Sequence, residues 1–188
     1  NQGALHESLN MAAVWKLPVI YVVENNEYGM GTAFSRISAT EIGDRSKAYG
    51  IPASFVNGQD VLATYRHFEG LVEEVRSGGG PHFAEVRTYR FRGHSMSDPV
   101  SGTYRSKEEV EERTEQDDPI TILVHRLFQG NDLTQEGLEA MDGEVRAQVA
   151  EAAAFADEAP LPEASELYKH VYSEINEHGR LFFDGRDR

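Results

Sequence analysis

Residues 18–24, PVIYVVE, constrain the fold more than any other stretch of this 188-residue chain. Val19, Ile20, Tyr21, Val22 and Val23 follow one another without a polar break. A strand with one wet face alternates apolar and polar side chains. An unbroken run therefore reads as a strand buried on both faces, as in parallel sheets covered by helices. The run is far short of the roughly 20 apolar residues that a membrane-crossing helix needs. No basic-led apolar segment marks a signal peptide.

The neighbouring segments fit such a sheet. Residues 4–15 suit a helix with Leu5, Leu9, Ala12 and Ala13 near one face, broken at Lys16-Leu17-Pro18. Residues 40–49 suit a short helix with Thr40 as its cap, and residues 51–56 a second strand ended by Asn57-Gly58. Residues 60–76 carry Val61, Tyr65, Phe68, Leu71, Val72 and Val75 at helical spacing and stop at the glycine-rich stretch 77–80. Residues 82–89 suit a third strand. Strands separated by helices imply parallel pairing through crossover connections. The expected class is α/β: a parallel sheet with helices on both faces over residues 1–105, followed by a mainly helical C-terminal region over residues 106–188.

In that second region, Ser106-Lys107-Glu108-Glu109 has the pattern of a capping box. Asp118-Pro119 reads as a cap followed by a first-turn proline. A long helix is expected over 134–157, a proline-punctuated connector over 159–162, a last helix over 163–173, and an extended segment at Phe182-Phe183. Charge follows the same division: the formal net charge of −14 is −1 over residues 1–105 and −13 over residues 106–188. That acidity argues against nonspecific nucleic-acid binding, which needs a basic surface. Cysteine is absent, which removes disulfides and thiolate metal sites. The chain opens on Asn1 within the approach to a helix, so an upstream portion is expected.

Ligands of parallel α/β sheets sit beyond the carboxyl ends of strands. Two segments fall there. The first, residues 25–32, NNEYGMGT, offers the Asn26 amide oxygen and the Tyr28 backbone carbonyl. These are hard oxygens suited to magnesium, which takes few protein ligands alongside phosphate and water. Gly29 and Gly31 would let the backbone wrap the ion. The same letters also make an ordinary turn. The second, residues 90–105, RFRGHSMSDPVSGTYR, gathers Arg90, Arg92 and Arg105 around His94. Guanidinium groups suit phosphate, and Gly93 would admit a ligand close to the backbone. The other six histidines lack such surroundings and read as structural or surface groups.

NQGALHESLNMAAVWKLPVIYVVENNEYGMGT at residues 1–32, TYRFRGHSMSDP at 88–99, Tyr104-Arg105, and LYKHVY at 167–172 closely resemble the α subunits of the thiamine-diphosphate-dependent 2-oxoacid dehydrogenases. The wording is nearest to the pyruvate branch. The resemblance implies the thiamine-diphosphate-binding fold, here in part. It also implies a cofactor motif that runs from an upstream Gly-Asp-Gly to Asn25-Asn26. By resemblance, Asn26 and the Tyr28 carbonyl ligate Mg2+, and Arg90 and His94 lie at the cofactor diphosphate. His94 carries a catalytic, mainly positioning, role. The implied reaction is oxidative decarboxylation of pyruvate with acetyl transfer to the lipoyl group of a transacetylase component.

The implied partner is a β subunit, two α with two β, which supplies the glutamate that activates the cofactor. The fragment alone is expected to be inactive. The alternatives are a branched-chain 2-oxoacid or acetoin dehydrogenase α subunit, or a non-catalytic module that keeps the fold. Ser95 and Ser101 resemble phosphorylation sites of mitochondrial members, and Ala33 stands in place of a third. The compartment implied is the cytoplasm in a bacterium or the mitochondrial matrix in a eukaryote, with no membrane or nucleic-acid partner.

Overall fold

The computed structural model describes residues 2–99 and 102–169. They fall into two compact units that divide between Leu133 and Thr134.

The first unit is built on a three-stranded parallel sheet. Its strands are β1 (Ile20–Asn25), β4 (Ala53–Asn57) and β5 (His82–Arg87), in the order β1-β5-β4. Ile20 is level with His82, and Ala53 with Phe83. Side chains alternate across a strand, so Tyr21, Val23, Phe83 and Glu85 share one face. Helix α1 (Gly3–Trp15) lies on it. Leu9 of α1, Ile42, Ile51 and Phe83 form the buried core, with Tyr21 and Val23 packed against it.

Helix α3 (Val61–Glu74) covers the opposite face, which carries Ser54, His82, Ala84 and Val86. Ser54 Oγ is 2.9 Å from His67 Nε2 of α3 and 3.0 Å from His82 Nε2. Helices thus flank both faces of a parallel sheet, as the element order implies.

The run at 18–24 does not become the most buried strand. β1 is an edge of this sheet, and Val22 is 48% exposed. The central, almost wholly buried strand is β5, HFAEVR, whose polar members are paired within the protein. It ends at Arg87 rather than at residue 89.

Local signals account for most element ends. α1 stops where Lys16 turns left-handed (φ 49°) and returns its N–H to the Ala12 and Ala13 carbonyls, with Pro18 soon after. Asp60 caps α3 by accepting from Ala63 N at 3.0 Å. α3 runs into a π turn, Val75–Gly79, that unwinds at Gly78 (φ 96°). Helices α4 (Lys107–Asp117) and α5 (Pro119–Gly130) begin at the caps read from sequence, Ser106 and Asp118. Both belong to the first unit. Arg126 of α5 pairs with Asp60, and Gln59 Nε2 donates to the Asp117 carbonyl at 2.6 Å.

The helix expected over 40–49 is cut to α2 (Asp44–Lys47). Gly43 stands at its cap position without a side-chain cap, and the Thr40 carbonyl instead accepts from Ser38 Oγ at 2.7 Å.

The second unit contains α6 (Gln135–Glu158), capped by Thr134, and a 3₁₀ segment, Ala164–Tyr168. That segment replaces the start of the helix expected over 163–173. The rest of that expectation, Phe182-Phe183, and Ser101 lie outside the described residues. No helix among the described residues is long and apolar enough to cross a membrane.

Candidate functional site

The segment after β1 is a miniature hairpin rather than an open loop: β2 (Tyr28–Gly29) pairs antiparallel with β3 (Thr32–Ala33). Two successive Asx turns launch it. Asn25 Oδ1 accepts from Glu27 N at 2.9 Å, and Asn26 Oδ1 from Tyr28 N at 3.1 Å. The left-handed residues that bend it are Glu27 (φ 68°) and Met30 (φ 54°), not the glycines expected to do so. Gly31 serves packing instead, because a Cβ there would stand 3.0 Å from the Tyr104 ring.

The hairpin decides where the Tyr28 carbonyl points. Phe34 N donates to Glu27 O at 2.8 Å, so Glu27 and Phe34 form a hydrogen-bonded pair. Antiparallel pairs alternate, so Tyr28 and Ala33 are a non-hydrogen-bonded pair and the Tyr28 carbonyl faces away from β3. Asn26, half-buried at the end of β1, retains a second lone pair on Oδ1. Among the described residues, no three of His, Cys, Asp and Glu gather closely enough to hold a metal. The hard oxygens here are an amide and a carbonyl, a donor set that fits Mg2+ shared with phosphate.

The second loop is fastened to this hairpin. Arg90 Nη2 donates to the Met30 carbonyl at 2.7 Å and to Tyr104 Oη at 3.0 Å, and its Nη1 lies 3.2 Å from His94 Nδ1. Arginine has no acceptor, so Nδ1 must accept and the His94 ring carries its proton on Nε2. The His94 N–H donates to Asp98 Oδ2 at 2.7 Å, and Tyr104 Oη donates to the same oxygen at 2.6 Å. The Tyr104 hydroxyl, then the His94 N–H, hold the Asp98 carboxyl below its ordinary range. A Cβ on Gly93 would collide with the Asp98 carbonyl, so this glycine serves the loop's own closure.

The three arginines do not form one anion cluster. Arg92 is exposed. Arg105 is only 3% exposed, donates to the Arg90 and Arg92 carbonyls, and lies over the rings of Tyr28, Tyr89 and Tyr104. It braces the loop from inside. His94, Ser95 and Met96 stand at the exposed tip, with Ser95 Oγ 3.1 Å from Ser97 Oγ.

Sequence reasoning missed three contributors. Glu109 Oε1 accepts from Tyr28 Oη at 3.1 Å and from Tyr89 Oη at 2.8 Å. Burial and this carboxylate push both phenols up, Tyr89 to about 12. The capping-box pattern explained Glu109 locally and so hid its long-range role. Tyr89 was absorbed into the expected strand. Asp98 is visible in sequence only as a turn residue before Pro99.

Beside the hairpin, a cleft of about 310 Å³ is walled by Asn25, Glu27, Tyr28, Phe34, Glu41 and Arg87 among others. Arg87 is anchored there by Glu85 and Glu41, each at 2.8 Å, and stacks over Phe55. Asn25 Nδ2 donates to the buried Glu85 at 3.0 Å.

Residues 1–165 match the family described as "Dehydrogenase E1 component". The chain is 49% identical over 172 residues to the "Pyruvate dehydrogenase E1 component subunit alpha" of Rhizobium meliloti (strain 1021), covering 91% of this chain and 49% of that protein. The Zymomonas mobilis protein of the same description is 47% identical, covering 91% of this chain and 48% of that protein. A testis-specific mitochondrial form from Rattus norvegicus is 42% identical, covering 92% of this chain and 44% of that protein. The chain spans about half the length of these relatives.

Proposed function

The chain belongs to the dehydrogenase E1 component family, and from that membership we propose that it works within the α subunit of a thiamine-diphosphate-dependent pyruvate dehydrogenase. The observation that carries this reading is the outward Tyr28 carbonyl beside Asn26 at the carboxyl end of β1, with Arg90 and His94 fastened to the same hairpin. When bound, thiamine diphosphate supplies the electron sink for decarboxylation of a 2-oxoacid.

The chain's own residues hold and orient. Asn26 Oδ1 and the Tyr28 carbonyl bind Mg2+. Arg90 keeps the loop at the hairpin and directs its remaining donors towards the cofactor diphosphate. His94, its proton on Nε2, presents a donor to anionic oxygen at the site mouth. The product acetyl group passes to a lipoyl group of a transacetylase component, and a β subunit, two with two α, completes the site. The compartment is the cytoplasm in a bacterium or the mitochondrial matrix in a eukaryote. Ser95 and Ser101 are proposed phosphate acceptors. A phosphate adds about −1.5 to −2 charge, which at Ser95 opposes an incoming diphosphate.

The test is the complete α chain assembled with its β chain. Asn26→Ala should weaken Mg2+-dependent cofactor binding, while Asn10→Ala, on an exposed part of α1, should not. Equal affinity in the Asn26 variant and the wild type removes the ligand role. Pyruvate should be preferred over 2-oxoisovalerate. A higher kcat/KM for the latter would move the protein to the branched-chain group. Ser95→Glu should lower activity and Ser95→Ala should leave it. A Ser95→Glu enzyme indistinguishable from wild type ends the charge-switch proposal.

A further inference from the structure

One carboxylate oxygen joins three segments that are remote in sequence. Tyr28 belongs to the hairpin, Tyr89 follows the central strand, and Glu109 is in the first turn of α4. Glu109 Oε1 accepts from both phenols, and the Arg105 guanidinium lies over both rings, 5.7 Å from that of Tyr28 and 5.4 Å from that of Tyr89.

A two-stranded ribbon of two-residue strands cannot hold its own geometry in water. Its direction must therefore be imposed from outside. The Asx turns at Asn25 and Asn26 fix only the amides of Glu27 and Tyr28. The Tyr28 side chain reaches from the hairpin to α4 by a hydrogen bond, where the Glu27–Arg113 pair, at 4.0 Å, is a looser tie.

We propose that Glu109 is a positioning residue for the metal and cofactor site: by fixing the Tyr28 hydroxyl it fixes the Tyr28 peptide plane and its outward carbonyl, and by holding Tyr89 it anchors the base of the loop that carries Arg90 and His94. The inference rests on the reading of Asn26 and Tyr28 as Mg2+ ligands. It adds an outer-shell residue from a helix outside both loops. Partners bonded directly to a ligating group typically cost about 10–100-fold in metal affinity when lost. Glu109 acts through the Tyr28 side chain, one step further out, so its loss belongs at the low end of that range.

The experiment uses the complete α chain assembled with its β chain, titrated with Mg2+ at saturating thiamine diphosphate and read by circular dichroism of the bound cofactor. Tyr28→Phe and Glu109→Gln should each raise the half-saturating Mg2+ concentration by about 10-fold. The double variant should lose less than the sum of the two single losses, because both changes act on one bond, Tyr28→Phe by removing its donor and Glu109→Gln by making its acceptor neutral. The KM for pyruvate at saturating Mg2+ should stay unchanged. A role confined to folding would lower thermal stability and leave the Mg2+ response alone.

Asn26→Ala separates the two readings. Weakened Mg2+ binding in that variant, with Tyr28→Phe and Glu109→Gln both unchanged, would overturn the role of Glu109 and leave the ligand assignment standing. Unchanged binding in Asn26→Ala would remove the ligand assignment and this inference together. Additive losses in the double variant would also overturn it. If Glu109→Gln fails to assemble, Tyr28→Phe decides alone, since it deletes one oxygen and keeps the ring.

Discussion

His82 opens the central strand with its ring buried and one nitrogen, Nε2, on Ser54 Oγ. Its Nδ1 is buried without a hydrogen-bond partner. A bare lone pair there costs less than a bare N–H, so the ring is neutral with its proton on Nε2. Ser54 then accepts from His82 and donates to His67, which fixes the direction of the chain. Burial pushes the His82 pKa down, with Glu74 opposing and His67 reinforcing. A histidine depressed on folding binds fewer protons in the native state than in the unfolded one. Its contribution is therefore complete above the unfolded value of about 6.5 and is lost as pH falls through the lower folded value. The assembled protein should lose thermal stability on acidification below about pH 6.5. His82→Gln should flatten that part of the profile. An identical profile in the variant would place the acid sensitivity elsewhere.

At the scale of elements, caps and turns separate what sequence revealed from what it concealed. Ser106 and Asp118 were legible because a cap is a local contract between neighbouring residues. Thr40 failed because the chain there turns on backbone bonds, from Asp44 N to Glu41 O and from Arg45 N to Ile42 O, before a helix begins. The hairpin was concealed because its left-handed positions fell on Glu27 and Met30, where turn chemistry leads one to expect glycine or asparagine. Asn26, Tyr28, Arg90 and His94 were singled out as candidates by motif and resemblance. Their fastening to Glu109, Asp98 and Tyr104 depends on tertiary approach, which no local pattern encodes.

Asp60 shows a local signal with a remote use. It caps α3 and pairs through both oxygens with Arg126 of α5. Arg126 first, then the Ala63 N–H, hold its carboxyl below the ordinary range. Asp60→Ala should cost about 1–2 kcal/mol, mostly the lost cap with a smaller share from the exposed pair. Asp60→Asn keeps the cap and should cost less. Urea midpoints of the two variants check this, and equal losses would assign the effect to the ion pair.

At the scale of the molecule, charge and compactness divide the chain at different places. The acidic half begins after residue 105, whereas α4 and α5, acidic helix included, pack with the sheet in the first compact unit. On the proposed function, the site is likewise larger than this chain, because a β subunit completes it. Purified residues 1–188 supplied with Mg2+ and thiamine diphosphate should therefore release no carbon dioxide from pyruvate. Turnover by this chain alone would show that no further subunit is needed.

The order β1-β5-β4 also governs birth on the ribosome. β1 and β4 do not pair with each other; each pairs with β5, which is made after both and lies about 60 residues beyond β1. Until Arg87 has left the exit tunnel, both earlier strands must wait with open edges. At roughly 5–20 residues per second, the stretch from Asn57 to Arg87 takes seconds to synthesise. Nascent chains stalled before residue 82 are thus the most exposed to mispairing, and a chaperone has most to protect in that window.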